Sequence, residues 1–323
     1  MAASRNRPFT EAVSQAVAAC LTRYVRQNQS LVVAYSGGLD STVLLHAANR
    51  LADGVSCELS ALHVHHGLSA NADAWAESCA SVCRAQDIPL TVIRVDVPRC
   101  SGEGMEAAAR RVRHQAFAAH PADWILLAHH ANDQAETVLH NLLRGAGVRG
   151  AAAMPEARGR LMRPLLGLGR GTLLAYAQHH RLTWIDDESN TDTRYTRNFL
   201  RREILPPITS RFPRASEHLA AAAGRFGEAD SLLDDLARLD LGGCPAKFPL
   251  SRKLFREMSD PRARNLLRAM LKWHHVQPPD EARLAEFVRQ LLTAGSDRHP
   301  RIDLERYSLW CEAGKLHFRN LDS

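Results

Sequence analysis

Six consecutive residues, Ser36-Gly37-Gly38-Leu39-Asp40-Ser41, have the chemistry of a polyphosphate cradle. The two glycines permit a tight turn and close backbone approach. Ser36, Ser41 and Thr42 offer hydroxyls, and a helix starting here adds free amides and the positive end of its dipole. Asp40 would repel a phosphate by itself, so its place in such a loop points to a magnesium ion that neutralises the anion. A bare Ser-Gly-Gly would read as an ordinary capped strand-to-helix turn. All six residues, placed between a buried strand and an amphipathic helix, favour the nucleotide loop.

Asp133, Glu136, Thr137 and His140 lie at i, i+3, i+4 and i+7, which puts two carboxylates on one helical face that could bind magnesium or attract a cationic amine. Asp133 and Glu136 also suit the first turn of a helix, so the structural and functional readings coexist. His63, His65 and His66 invite a zinc reading, but an HxHxDH signature would need aspartate where Gly67 stands, and nucleotide contact or backbone positioning fits them better. Glu106, Arg110 and Arg113 share another helix face, which reads equally as a solvated ion-pair face or as a contact for phosphate.

Positioning these groups requires strands that end together. Residues 31–35 (LVVAY) are nearly all apolar, as a strand buried on both faces should be. Further strands are expected over 59–64, 89–95 and 124–128, with a short fifth ending at Trp184, and helices over 10–26, from Ser41, and over 71–85, 103–119 and 132–143. The alternation implies parallel βαβ units, whose carboxyl ends carry ligands. From Pro213 the texture turns to alanine- and leucine-rich helix, and residues 301–320 read as a hairpin around Ala313-Gly314. A domain over 1–213 and a smaller, mainly helical one over 214–323 are therefore expected.

Composition narrows the chemistry. The chain has 323 residues, 45% hydrophobic and 24% charged, with no apolar run near the roughly 18 needed to span a bilayer, so a membrane protein is not expected. All four lysines (247, 253, 272, 315) fall in the last quarter, which excludes a Walker A loop or a Schiff-base lysine from the first domain. The seven cysteines contain no CxxC pair; Cys79 and Cys83 read as small buried side chains. No charged-then-apolar leader is legible, so a cytoplasmic protein is expected. The net charge of +6 conceals two arginine-rich stretches, 144–170 and 194–214, that suit an RNA backbone.

The hexapeptide resembles the PP-loop of N-type ATP pyrophosphatases, which cleave ATP between the α and β phosphates. With HVHHGL, EAAARRVRH, HHANDQAET, RGAGVRG, RPLL and DESNTDTRYTRNFLRREILP in order over about residues 31–207, the whole series resembles bacterial tRNA(Ile)-lysidine synthetase. The resemblance implies an α/β, Rossmann-like PP-loop ATPase domain followed by a helical tRNA-binding domain. It implies a ligase that adenylates the wobble cytidine (position 34) of CAU-anticodon tRNA-Ile and lets free L-lysine displace AMP, with ATP as co-substrate and Mg2+ as cofactor. Compact members imply a homodimer, and the further C-terminal domain that longer members carry is not expected here.

Carried over by motif, Ser36, Gly37, Gly38, Leu39, Asp40 and Ser41 would bind ATP with His63, Arg110 and His130. Asp40 and Asp133 would ligate magnesium. Asp133, Glu136, Asn190, Asn198 and Arg144 would contact substrate, and Asp40, Asp133, Glu136, Arg197 and Arg201 would be catalytic. Three positions depart from the family pattern: His65 stands for asparagine, His114 for tyrosine, and Asn132 for the first aspartate of HHxDDQ. The competing readings are a PP-loop tRNA thiolase, against which the missing CxxC speaks, and a non-catalytic ATP-sensing RNA-binding module, which would need no carboxylate pair.

Overall fold

A computed structural model describes residues 7–98, 105–186, 196–295 and 298–321. The chain folds as two compact units, 1–227 and 228–323. The division falls within one long helix, α10 (Ala215–Asp240), which begins just after the 213/214 boundary expected from the change in texture.

The first unit is built on a six-stranded sheet in the order β3-β2-β1-β4-β6-β5. Its members are β1 (Ser30–Ala34), β2 (Glu58–His65), β3 (Leu90–Arg94), β4 (Trp124–Leu126), β5 (Ala157–Arg158) and β6 (Leu161–Met162). All neighbours pair in parallel except β5, which runs antiparallel at the edge. β1 pairs with β2 on one side and β4 on the other, with Val32 opposite both Ser60 and Ile125. The chain therefore builds outward from β1 to β3, then returns to add β4. That reversal opens a crevice at the carboxyl ends of β1 and β4.

Burial on both faces explains why β1 is continuously apolar. Leu31, Val33 and Tyr35 face one core together with Val17 and Leu21 of α1 (Arg7–Tyr24), Leu44 of α2 (Leu39–Val55), Cys79 and Cys83 of α3 (Ala72–Ala85) and Tyr176 of α7 (Arg170–His179). Val32 faces the opposite core with Ile125, Leu127 and Phe117 of α4 (Met105–Ala119). Cys79 and Cys83 are 0% and 1% exposed, as small core side chains should be. Burial pushes their thiols up to about 12 and about 11.

The four major strands and their helices stand where the apolar runs place them. The fifth does not: Trp184 lies in an irregular segment, and the strand beside β4 is β6, preceded by its hairpin partner β5. Two residues per strand are too few to produce a readable alternation. The segment around Trp184 instead sends the Ile185 N–H to the Gly37 carbonyl, at 2.9 Å.

In the second unit, α11 (Arg252–Arg256), α12 (Asp260–Trp273) and α13 (Glu281–Thr293) share a core with a four-stranded antiparallel sheet ordered β7-β10-β9-β8. The expected hairpin is β9 (Tyr307–Glu312) with β10 (Lys315–Asn320). Ala313 and Gly314 turn it with φ of 48° and 72°, and short strands β7 (Leu250–Ser251) and β8 (Arg301–Asp303) complete the sheet. The unit is thus mainly helical, as expected, with the hairpin extended into a four-stranded sheet. Arg252, 6% exposed, satisfies the end of α13 by donating to the carbonyls of Leu291 at 2.8 Å and Gly295 at 3.2 Å.

Candidate active site

The phosphate loop leaves the carboxyl end of β1 and enters α2 at Leu39. Its hydroxyls hold it in shape: Ser41 Oγ donates to the Gly38 carbonyl at 3.0 Å and lies 3.1 Å from Ser36 Oγ, while Thr42 Oγ1 donates to the Gly37 carbonyl at 3.3 Å. Gly37 has φ of +84°, and a Cβ there would stand 2.7 Å from Ile185 Cδ1 and 2.9 Å from Cys79 Sγ. Only glycine fits both the backbone and the space.

Facing this loop is the N-terminus of α5 (Ala131–Leu143), reached from the end of β4. His130 caps that helix and ties it to the loop. Its backbone N–H donates to Asp133 Oδ2 at 3.0 Å, and its Nδ1 accepts the Asn132 N–H at 3.2 Å. An accepting Nδ1 places the ring proton on Nε2, 3.4 Å from Asp40 Oδ2. Burial opposes charge on this imidazole, but the Asp40 hydrogen bond and the Asp133 carboxylate outweigh it and raise its pKa.

Asp133 and Glu136 share one face of α5, and a single guanidinium bridges them. Arg201, on the π-helical turn over Leu200–Ile204, donates through Nε to Glu136 Oε1 at 2.6 Å and through Nη2 to Glu136 Oε2 at 2.9 Å and Asp133 Oδ1 at 3.1 Å. The fork on Glu136 is bidentate, and the Glu136 side chain is 4% exposed. Burial pushes the Glu136 carboxyl up, against the lowering influence of Arg201.

Two cavities meet at the loop. One, of about 390 Å3, has walls of Leu62, Val64, Phe117 and Leu127 beside Ser36, Gly38 and Ser41. The other, of about 750 Å3, is polar, with Asp40, His130, Asp133, Glu136, Arg170 and Arg201 among its lining. Arg113 borders both. Asp40 Oδ1 is buried without a hydrogen-bond partner, as suits an oxygen that ligates a cation, whereas both Asp133 oxygens are engaged.

The chain matches the PP-loop domain family over residues 7–208 and the TilS substrate binding domain over residues 250–317. A tRNA(Ile)-lysidine synthase of Nitrosomonas europaea is 41% identical over 310 residues, covering 94% of this chain and 68% of that protein. This chain belongs to the tRNA(Ile)-lysidine synthase family. The synthase of Aromatoleum aromaticum is 50% identical over 271 residues, covering 83% of this chain and 64% of its own length, and that of Burkholderia mallei is 50% identical with 84% and 58% covered. The chain thus spans about three fifths of the length of these two relatives. Its fold is shared with a U34-tRNA thiolase from Methanococcus maripaludis solved with its 4Fe–4S cluster. The TM-score is 0.58 at 15% identity, over 69% of this chain and 80% of that one, a likeness of fold alone.

In this synthase-family chain, the cavities gather Ser36, Gly38, Leu39, Asp40, Ser41, His130, Asp133, Glu136 and Arg201 from the positions singled out in the sequence. Gly37 lies beneath Ile185. His63 is buried with Nδ1 3.0 Å from the Tyr35 carbonyl, and His65 Nε2 lies 3.1 Å from Asp73 Oδ1, so each has a positioning partner within the fold. Arg110 and Arg144 are not among the residues lining either cavity; Arg144 caps the far end of α5 and is exposed. Arg197 and Asn198 sit on α8 (Thr196–Phe199), half-buried and outside the lining. Asn190 lies outside the described residues, as does the side chain of Glu106. Sequence reasoning assigned no individual role to Ile185 or His129, and placed Arg170 only in the arginine-rich stretch suited to RNA; the structure brings all three to the loop or its cavities. Among the described residues no helix is long and apolar enough to cross a membrane.

Proposed function

We propose that this chain joins free L-lysine to the wobble cytidine of CAU-anticodon tRNA-Ile at the expense of ATP. The observation that carries the reading is the meeting of the phosphate loop and the Asp133–Glu136 pair in one polar cavity, already seating a cation, Arg201, between two carboxylates. The loop, with its hydroxyls and helix N-terminus, binds the ATP phosphates. The cytidine 2-oxygen attacks the α-phosphorus, the α–β bond breaks and diphosphate leaves. The lysine ε-nitrogen then attacks C2, the C2–O bond breaks, and AMP departs with that oxygen.

Lysine arrives as an ammonium and must lose a proton to become a nucleophile. Glu136, whose burial favours the protonated carboxyl, is placed to accept it. Asp40, through its unpartnered Oδ1, would hold Mg2+, joined by Asp133 once Arg201 releases its Oδ1, and the ion would neutralise charge on the phosphates. Arg197, Asn198 and Arg144 would contact the RNA, with 1–213 as the catalytic domain and 214–323 as a tRNA-binding domain. The protein would work in the cytoplasm as a homodimer, a state that light scattering measures directly.

The test is to incubate the purified chain with ATP, Mg2+, radiolabelled lysine and unmodified tRNA-Ile. Lysine should enter the RNA in step with AMP and diphosphate release. A protein that binds the tRNA and ATP yet incorporates no lysine would overturn the proposal.

A further inference from the structure

Besides Asp40 Oδ1, the lining of the smaller cavity carries two further polar atoms, both on imidazoles, that the fold leaves unsatisfied. His66, just beyond the carboxyl end of β2, and His129, just beyond that of β4, both line it, and the Nδ1 of each is buried without a hydrogen-bond partner. β2 and β4 flank β1, so the two imidazoles come to the cavity from opposite sides of the strand that carries the phosphate loop. Buried polar atoms are almost always satisfied, and two orphans in one cavity mark a place where a ligand supplies the missing partners.

The surroundings say what kind of ligand. Leu62, Val64, Phe117 and Leu127 make apolar walls suited to a flat ring, and Ser36, Gly38 and Ser41 stand at the same cavity. Burial, with the neighbouring arginines, pushes His66 down to about 4 and His129 down to about 3, so both rings are neutral near pH 7. A neutral imidazole nitrogen can donate or accept depending on tautomer, which suits an uncharged base edge carrying both kinds of group rather than a phosphate. A base attached to phosphates held in the loop would occupy this cavity, while the polar cavity with Arg170 and Arg201 is left for the incoming RNA.

We propose that His66 and His129 are specificity residues that hydrogen-bond the polar edge of the adenine of ATP and select it over guanine. The inference rests on the proposed use of ATP and adds the residues that recognise its base. A site whose buried polar groups require partners rejects a base that presents donors and acceptors in the opposite sense.

The experiment measures binding of ATP and of GTP to the full chain with Mg2+ by calorimetry, for the wild type, His66→Ala, His129→Ala, His66→Asn and His129→Asn. Circular dichroism and tRNA affinity serve as controls on folding. Each alanine variant should raise the ATP Kd about tenfold and shrink the preference for ATP over GTP, with tRNA affinity unchanged. The asparagine variants, whose amide reproduces the position of Nδ1, should recover most of both. Alanine variants with wild-type affinity and preference would overturn the inference, as would equal loss of ATP and GTP binding that asparagine fails to restore. A wild-type chain that binds no ATP would instead overturn the proposed function itself.

Discussion

Among the described residues, the same small device appears in both units with different surroundings. In the first unit, Asp133 and Glu136 of α5 hold Arg201; in the second, Asp230 and Asp234 of α10 hold Lys272 of α12, at 3.1 Å and 2.5 Å. Each is a carboxylate pair one helical turn apart clasping one cation from another element. The first lines a cavity of about 750 Å3 at strand ends beside the phosphate loop. The second ties α10 to α12 in the wall of a helical core. A carboxylate pair on a helix face is therefore no site by itself; the reversal of strand order that opens a crevice above it makes it one.

The comparison fails if both pairs respond alike to mutation. The largest effect is expected at Glu136→Gln, which keeps the shape but removes the charge and the base. Lysine incorporation should fall roughly a hundredfold or more while tRNA affinity holds, as read in the radiolabelled assay. A drop in stability with lysine incorporation intact would put the two pairs in one class. The counterpart is Lys272→Met, which leaves two carboxylates, each about a quarter exposed, without their cation. It should destabilise the second unit by about 1–2 kcal/mol in urea denaturation and leave turnover at low temperature intact, the exposure reducing the cost of a fully buried pair.

Acid should separate the units next. Burial holds His46 and His66 down at about 4 and His129 at about 3, below the ordinary value near 6.5. Between those values the unfolded chain binds protons that the folded chain refuses, so stability is full above pH 6.5 and declines as pH falls toward 4. The full shifts would give about 2 kcal/mol per ring between pH 7 and 5, and partial exposure of the rings to solvent reduces this to about 1 kcal/mol each. His130, with its raised pKa, works in the opposite direction. Thermal melts over this range should lose the first unit's transition first; a pH-independent melt would contradict the buried neutral rings.

The smallest effect is expected at Asn132→Asp. The Asn132 Oδ1 accepts the Arg170 N–H at 3.1 Å and its Nδ2 donates to Ser216 Oγ at 3.4 Å. Aspartate keeps the first bond, and the Ser216 hydroxyl can turn to donate, so lysine incorporation should change by no more than about twofold. A large gain would show that the missing carboxylate limits this chain.

What was legible follows from the range of the interactions. Residues 31–35 and 124–128 announced their strands because burial on both faces demands unbroken apolar runs, and Gly37 announced its turn because few residues tolerate a positive φ. The two-residue strands β5 and β6 had no such pattern, and the segment at Trp184 looked enough like a strand to take their place. Arg201 was legible as a site residue only through its motif. Nothing local says that it reaches 65 residues back to Glu136.

By itself, the sequence determined the local chemistry: a lysine-free phosphate loop, a carboxylate pair on one helix face, and arginine as the cation of the first unit. These depend on residue type, backbone propensity and spacing within a few turns. Only the tertiary structure decided which of two similar carboxylate pairs faces a cavity, that Ile185 seals the loop over Gly37, and that His66 and His129 are buried with unsatisfied nitrogens in one pocket. Those are properties of packing between segments far apart in the chain, where solvent exclusion rather than spacing sets which charges, donors and acceptors meet.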